Sequence, residues 1–487
     1  MNAVLAVMIV AMVASSLVCI RMRRDPRVAT VMPVCSAALL AVSAVLCLPV
    51  LDGNVIDEGL FYMDQVSAVF MMLVAFIGLM ASVYSRAYIG LEVEEGKVSG
   101  TDQGHYYCLM IVFISVMMLT FTVRSMAIVW LGIGATTLVS TFLVGFYHNE
   151  ESTEAAWKYI ILCSVGITIA LAGFTLVYAS TVGAIDSGMS LDWPALMAAA
   201  DELDPTLMKM AMVLIIVGFG TKVGFVPLHS WLPDAHSQAP SPVSGLLSAV
   251  LLNCAMYGVV RFYAVSEMVN PGFASTIMLV FGLLSLGAAA FFIVSARDLK
   301  RMLAYSSIEN MGLIAIGFGI GTPVAIGAAM VQIVAHSLTK PILFFSAGNI
   351  IQSYGTREMR SIRGVSKSLP FTSAMMAAGT LAIVGCPPFA VFVGEFGLIF
   401  GSLDAGMAWV TGLMVVLLAI VFGGFVRNVY PMLSGDPGRD IERHSRASRY
   451  LPLAVLLGCT LLLGLFMPER AVEWIDGAVR AVTGAMA

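Results

Sequence analysis

Charge is what this sequence lacks most. Charged side chains make up 11% of its 487 residues, against about 25% in a soluble globular domain. Hydrophobic residues reach 59%, and a soluble particle this apolar would have too little polar surface to cover itself. The deficit excludes a water-soluble domain and makes a bilayer the natural solvent. The formal net charge is −4 and no long basic stripe is present, so the electrostatic footprint of a nucleic-acid binder is missing. Paired cysteines are missing too. Cys19, Cys35, Cys47, Cys108, Cys163, Cys254, Cys386 and Cys459 lie singly in or beside apolar runs, with no CxxC among them. They read as small buried hydrophobes, and their spacing offers no disulfide framework, zinc site or iron–sulfur motif.

What remains is hydrophobic and periodic on the scale of a membrane. A spanning helix needs about 20 mostly apolar residues. Fourteen such runs occur, near 2–20, 29–50, 65–85, 107–122, 125–147, 158–180, 207–226, 242–265, 273–295, 302–320, 323–347, 369–400, 406–427 and 450–467. Barrel strands are shorter and alternate; these runs are continuous, so the expected class is an all-α polytopic membrane protein. The first run, Asn2 to Ile20, is followed by Arg21, Arg23, Arg24 and Arg27. A cleaved leader carries its charges before the apolar stretch, so this run reads as a retained span. Between 107 and 147 only Val123 and Arg124 separate two spans.

Orientation follows from the bias of Lys and Arg. If the loop after the first span is cytoplasmic, alternate loops and their edges hold nineteen basic residues, Arg439 and Arg443 among them. The opposite side holds five: Arg124, Lys209, Arg261, Arg470 and Arg480. Only Lys222 and Lys340 remain inside the membrane. Trp193 to Leu203, in the longest non-cytoplasmic loop, can lie as a short interfacial helix. Two places break helical logic: Gly224, Pro227, Pro233, Pro240 and Pro242 after the seventh span, and Gly385, Cys386, Pro387 and Pro388 within the twelfth. Broken helices at membrane depth survive only where protein or water satisfies the freed backbone. Two breaks five spans apart suggest the internal repeat that transporters use.

An ionisable side chain in a span is a functional candidate by default. Lys222 stands just before the first break; a buried ammonium is costly enough that such a lysine can exchange a proton, although a lysine near a helix end can also snorkel to the interface. His336 and Lys340 are spaced i, i+4 and so share a helical face, as a proton relay would require; a histidine bonded to a nearby carbonyl is the plainer alternative. Glu395 follows the second break inside an apolar stretch and suits a proton carrier or a structural ion pair. Asp64 and Glu309 lie at span edges and read as interfacial caps or ion-pair partners.

The run from Pro227 to Pro240, PLHSWLPDAHSQAP, resembles the signature of the antiporter-like subunits of respiratory complex I and its relatives. Three further stretches agree in order: DLKRMLAYSS from Asp298, AHSLTK from Ala335, and Gly394-Glu395-Phe396. The likeness runs roughly from the third span to the thirteenth. Within that superfamily, Ser241 to Cys254 is most similar to the F-type subunit of hydrogenase-4 and formate hydrogenlyase-like complexes, with Asn253 where many relatives have lysine. The resemblance implies two inverted repeats with broken helices seven and twelve, and a hydrated polar axis at the midplane. It makes Lys222, His229, His236, His336, Lys340 and Glu395 the proton pathway, supported by Asp234, Asn253 and Lys300. It also implies one transmembrane antiporter-like domain over 1–487, with core repeats near 107–265 and 273–427. One departure stands out. The family usually has a glutamate on helix five opposite the helix-seven lysine, and Gly134 occupies that place here; 125–146 holds no acid.

The function this implies is proton translocation by a membrane subunit of a redox-driven complex, of the group 4 hydrogenase or NADH–quinone oxidoreductase type, in the inner cell membrane. The chain itself is expected to carry no metal, cofactor or catalytic redox residue. Iron–sulfur clusters, and a nickel–iron centre in the hydrogenase case, would sit on partner subunits, membrane and peripheral; protons, or sodium as the alternative coupling ion, would be the cargo. A subunit of a multi-subunit cation/proton antiporter and a non-transporting scaffold are the competing readings.

Overall fold

Each predicted apolar run folds as helix, because a backbone in hydrocarbon must satisfy its own N–H and C=O groups. The computed structural model describes residues 3–438, 441 and 446–484. Asn2 of the first run, and Arg439 and Arg443 of the cytoplasmic tally, lie outside the described residues. Among the described residues thirteen helices are long and apolar enough to cross a membrane: Ala3–Arg21, Val28–Leu51, Gln65–Glu94, Gly100–Thr120, Met126–Val144, Glu150–Ser180, Pro205–Val223, Ser241–Val269, Phe273–Ser295, Leu299–Ile320, Pro323–Tyr354, Ala408–Leu433 and Ala447–Leu465. The twelfth span in chain order is split into Pro370–Ile383 and Ala390–Asp404, which completes the fourteen.

Several helices overrun their apolar runs, since their starts are fixed by side-chain caps in the polar flanks. Ser99, Asn149, Asp204 and Asp298 each accept a hydrogen bond from the first turn of the helix that follows, as preferred N-cap residues do. The doubtful 107–147 stretch resolves into two helices ending at Thr120 and beginning at Met126. A two-stranded hairpin, β1 (Ile56–Glu58) and β2 (Phe61–Met63), closes over that turn, and Arg124 pins it to Asp57 and Asp192. Ionic and hydrogen-bonded stitching explains how so short a link suffices.

Ion pairs between loops agree with the alternation read from Lys and Arg. Asp234 takes Lys158 at 3.2 Å and also Arg301. Arg357 lies 3.6 Å from Asp298, and Arg446 pairs with Glu94; all are cytoplasmic by that reading. On the other face Arg124 meets Asp57 and Asp192, and Trp474 donates to Asp52 at 3.0 Å. The two breaks fall in the seventh and twelfth spans. Five crossings is an odd number, so the second break is approached from the opposite face and the repeat is inverted.

Burial divides the spans into an inner and an outer set. The eighth, tenth and eleventh are 100%, 94% and 89% buried, whereas the first, sixth, thirteenth and fourteenth are only 28–33% buried. Polar side chains on the inner three therefore face protein. The interfacial helix is present as Trp193–Ala198 and a 3-10 turn Ala200–Glu202. An amphipathic helix, Glu469–Thr483, was not anticipated; it buries Gly477, Ala478, Val479, Ala481 and Val482 against the third, eighth and eleventh spans. No apolar run marks it, only the helical spacing of Trp474, Ile475, Ala478, Val479 and Val482.

Asp64 proves to be both cap and ion-pair partner. It accepts from Ser67 N at 3.0 Å and takes Arg261 through two 2.6 Å bonds, joining the third span to the eighth. Arg261, placed by the charge tally at the outer edge, is in fact 2% exposed and lies 4.7 Å from the Trp193 ring and 4.9 Å from the Tyr257 ring. Removing one partner of a buried pair strands the other. Asp64→Asn is therefore expected to destabilise the protein by about 3–5 kcal/mol, read as a fall in melting temperature in detergent.

Candidate functional site

Lys222 belongs to the last turn of the seventh helix, which stops at Gly224 in the left-handed region (φ 89°). Its side chain is wholly buried. The ammonium donates to Ile133 O, to Thr136 Oγ1 at 2.6 Å and to Thr137 Oγ1. All three acceptors lie on the fifth span, around the position that lacks its acid. Among the described residues no carboxylate bonds Lys222; its ionisable neighbours are Cys163 and Cys254. A β-carbon at Gly134 would meet Ile167 of the sixth span at 3.8 Å, so the site is open to a side chain but holds none. Neutral oxygens satisfy the ammonium's three donors without a counter-charge.

A second cluster occupies the inner spans. Gln332, His336 and Lys340 recur every four residues and form one stripe of the eleventh span. Lys340 donates to Leu303 O at 2.8 Å and to Ser306 Oγ. Glu309 follows Ser306 on the same face of the tenth span and lies in Coulomb range of Lys340. The edge position expected for Glu309 is corrected here. The helix begins at Leu299, capped by Asp298, so Glu309 lies ten residues in, ~15 Å along the axis, and is fully buried. Asn310 donates to Glu309 at 2.6 Å and accepts from Gln332 at 2.8 Å. Gln332 lies against Gly394, where a β-carbon would stand 2.2 Å from its Oε1. The next residue is Glu395. Its carboxylate folds back on the helix break, against Gly385, and feels the charge of Glu309.

His236 joins this cluster from the short helix Trp231–Gln238. It is buried, stacks on Phe344 at 5.5 Å, and has Lys340 and Lys300 as charged neighbours. His336 lies near Lys340 and His236. Among the described residues neither ring meets a hydrogen-bond partner at either nitrogen; the Ser244 backbone lies beside His236. Lys300 is buried and donates to Ala239 O. Asn253 donates to Ala249 O and Ser337 Oγ, both at 2.7 Å. Ala249 falls in a π-helical turn, Leu247–Leu251, whose disturbed ladder leaves its carbonyl available. Two predicted residues stand apart. Asp234 is a surface partner of Lys158 and Arg301, and His229 is half-buried beside Phe292 at 5.8 Å.

Residues that sequence reasoning passed over include Glu309 as an interior group, Asn310, Gln332, Thr136, Thr137 and Glu92. Glu92 is buried near the cytoplasmic end of the third span. It accepts from Tyr147 at 2.8 and 3.0 Å and lies in Coulomb range of Lys300. In the sequence it belongs to the charged stretch Glu92 to Lys97 that follows the third apolar run. Among the described residues no group of three or more His, Cys, Asp or Glu is placed to hold a metal ion.

Comparison with known proteins agrees with this architecture. Residues 124–423 match the family described as NADH:quinone oxidoreductase/Mrp antiporter, TM, and residues 59–95 match NADH-Ubiquinone oxidoreductase (complex I), chain 5 N-terminus. The chain is 36% identical over 419 residues to the hydrogenase-4 component F homolog of Methylacidiphilum infernorum, covering 85% of this chain and 87% of that protein. It is 30% identical over 422 residues to NADH-quinone oxidoreductase subunit N of Desulforudis audaxviator, covering 83% and 81%. In fold it is similar to a chain of the Mrp complex from Dietzia sp. DQ12-45-1b, with TM-score 0.87 and 19% identity over 100% of this chain and 98% of that one.

The contact between Glu395 and the break is testable. Gly385 has φ +69°, and a β-carbon there would lie 1.9 Å from Glu395 Oε2; Gly435 has φ +89° and nothing within 4 Å. Left-handed strain of about 1–2 kcal/mol is common to alanine at both sites. Gly385→Ala should therefore lower the melting temperature more than Gly435→Ala does, the excess reporting displacement of Glu395.

Proposed function

Because this chain belongs to the NADH:quinone oxidoreductase/Mrp antiporter transmembrane family, we propose that it is the proton-translocating membrane subunit of a redox-driven, complex I-like assembly. The observation that carries this reading is the polar file His236–His336–Lys340–Glu309–Asn310–Gln332–Glu395, buried within a multi-pass membrane protein. Every member is ionisable or an amide that can hold a proton wire in register. Buried polar atoms without protein partners are ordinarily met by water, so water is the natural link at the two histidines. Charge supplies the coupling: Lys340 attracts an ionised Glu309, and ionised Glu309 and Glu395 repel each other. A proton arriving on one member thus changes the affinity of the next.

The same logic divides labour between the halves. Lys222 has hydroxyl and carbonyl oxygens around it and no carboxylate to move against, so the second half, ending at Glu395, carries most of the transport. Redox chemistry takes place on partner subunits bearing iron–sulfur clusters, with a nickel–iron centre if the assembly is a hydrogenase. Protons are the coupling ion. Co-purification of such subunits with the chain separates this reading from a multi-subunit cation/proton antiporter.

The direct test is a pair of variants of the intact complex in sealed vesicles. Glu395→Ala should lower proton movement by about tenfold or more while electron transfer continues, and Lys222→Ala should be mild. The reverse order would show that the first half works through an acid supplied from elsewhere. Unchanged movement in both would leave a scaffold.

A further inference from the structure

Four arginines converge on one cavity at the cytoplasmic ends of the ninth and thirteenth spans. The cavity measures about 450 Å³, and its polar wall is Ser295, Arg297, Arg360, Arg363, Arg427 and Asn428. The walls are tied together. Asn428 donates to Ile293 O at 2.9 Å, joining the two spans. Met359 N donates to Arg297 O at 3.0 Å, joining the 359–361 turn to the end of the ninth span. Neighbouring cations on this face are neutralised: Arg301 by Asp234, Arg357 by Asp298, Lys367 by Asp436 and Arg446 by Glu94. Among the described residues, none of the four lining arginines has an acidic partner. Like charges held together without one repel, and an anion relieves the repulsion.

We propose that this cavity binds the phosphodiester headgroup of an anionic phospholipid from the cytoplasmic leaflet. Guanidinium forks match phosphate oxygens bidentately, and basic pockets between spanning helices on this side suit such headgroups. The surface beneath the cavity selects a lipid over a soluble phosphate. Phe291 stands one helical turn membrane-ward of Ser295, and Leu284 two turns further along the same face; they are 66% and 50% exposed. On the thirteenth span Gly423 lies one turn below Arg427, with nothing within 4 Å of an added β-carbon, and Val416, about two turns further along, is 58% exposed. Acyl chains descending from the cavity would lie along these residues. An acidic segment of a partner subunit would satisfy the arginines but would leave that apolar track without an occupant.

The test uses the intact complex purified in detergent with equal amounts of phosphatidylglycerol and phosphatidylcholine of identical chains, the retained lipid being counted by native mass spectrometry. The wild type should retain phosphatidylglycerol preferentially. Each surface guanidinium contributes ~1 kcal/mol, about fivefold, so R360Q/R427Q should lower that preference by roughly thirtyfold. R23Q/R24Q, which removes two cytoplasmic arginines elsewhere, should leave it intact. Equal retention of the two lipids by the wild type overturns the proposal without any variant being needed. So does an undiminished preference in R360Q/R427Q. Displacement of the lipid by an equal concentration of glycerol 1-phosphate would make the cavity a free-phosphate site. Loss of a membrane subunit from R360Q/R427Q with lipid retained would make it a protein contact. Either result also overturns the lipid assignment.

Discussion

A lysine ammonium in a hydrocarbon layer must be given oxygen atoms, and Lys340 shows what that demands of the fold. Its acceptors, Leu303 O and Ser306 Oγ, lie on a neighbouring helix. The tenth and eleventh spans must therefore pack with those faces together, inside the protein and away from lipid. Once they do, Glu309, Asn310, Gln332 and His336 are carried into the same interior by helical spacing alone. The outer spans are then free to be apolar on every side, which is how so few charges suffice for a chain of this length. The polar stripe and the apolar composition are two consequences of one desolvation penalty.

The helix breaks obey the same constraint from the backbone side. A span that stops in mid-membrane exposes carbonyls and N–H groups that lipid cannot satisfy. At the first break Trp231 Nε1 donates to Thr221 O at 2.7 Å, and Val226 N donates to Ser285 Oγ at 3.0 Å. At the second, Gly385 provides the room that Glu395 fills. Ionisable side chains and broken backbone occur together because each needs the lipid-free, polar interior that the other helps to build. The fifth span departs from this pattern. Lys222 is held there by two threonines and a carbonyl, an arrangement that fixes the ammonium without an ionic partner.

The existence and order of the spans were legible because twenty apolar residues leave an unmistakable trace. Their ends were not, since caps such as Ser99, Asn149 and Asp298 lie in polar flanks that hydropathy ignores. The helix Glu469–Thr483 escaped notice because its signal is periodic, not continuous. Lys222, His336, Lys340 and Glu395 could be singled out as charges within apolar runs. Glu309 and Glu92 could not, because each lies near a run's polar end and only the packing shows that it turns inward. Asn310 and Gln332 are neutral and carry no warning in one dimension. The motif around Asp234 and His236 named both residues, yet positions two apart on a helix face different ways. One pairs at the surface and the other is buried beside Lys340.

If protons pass along the buried file of the second half, Glu309 is the member whose role rests most on the three-dimensional arrangement. The decisive quantity is the number of protons moved per electron transferred by the complex in sealed vesicles, compared between wild type and Glu309→Gln. Glutamine keeps the shape and the hydrogen-bonding amide but cannot carry the charge that Lys340 and Glu395 feel. Translocation along this file requires a ratio far below that of the wild type with electron transfer still running. A ratio equal to that of the wild type would contradict it.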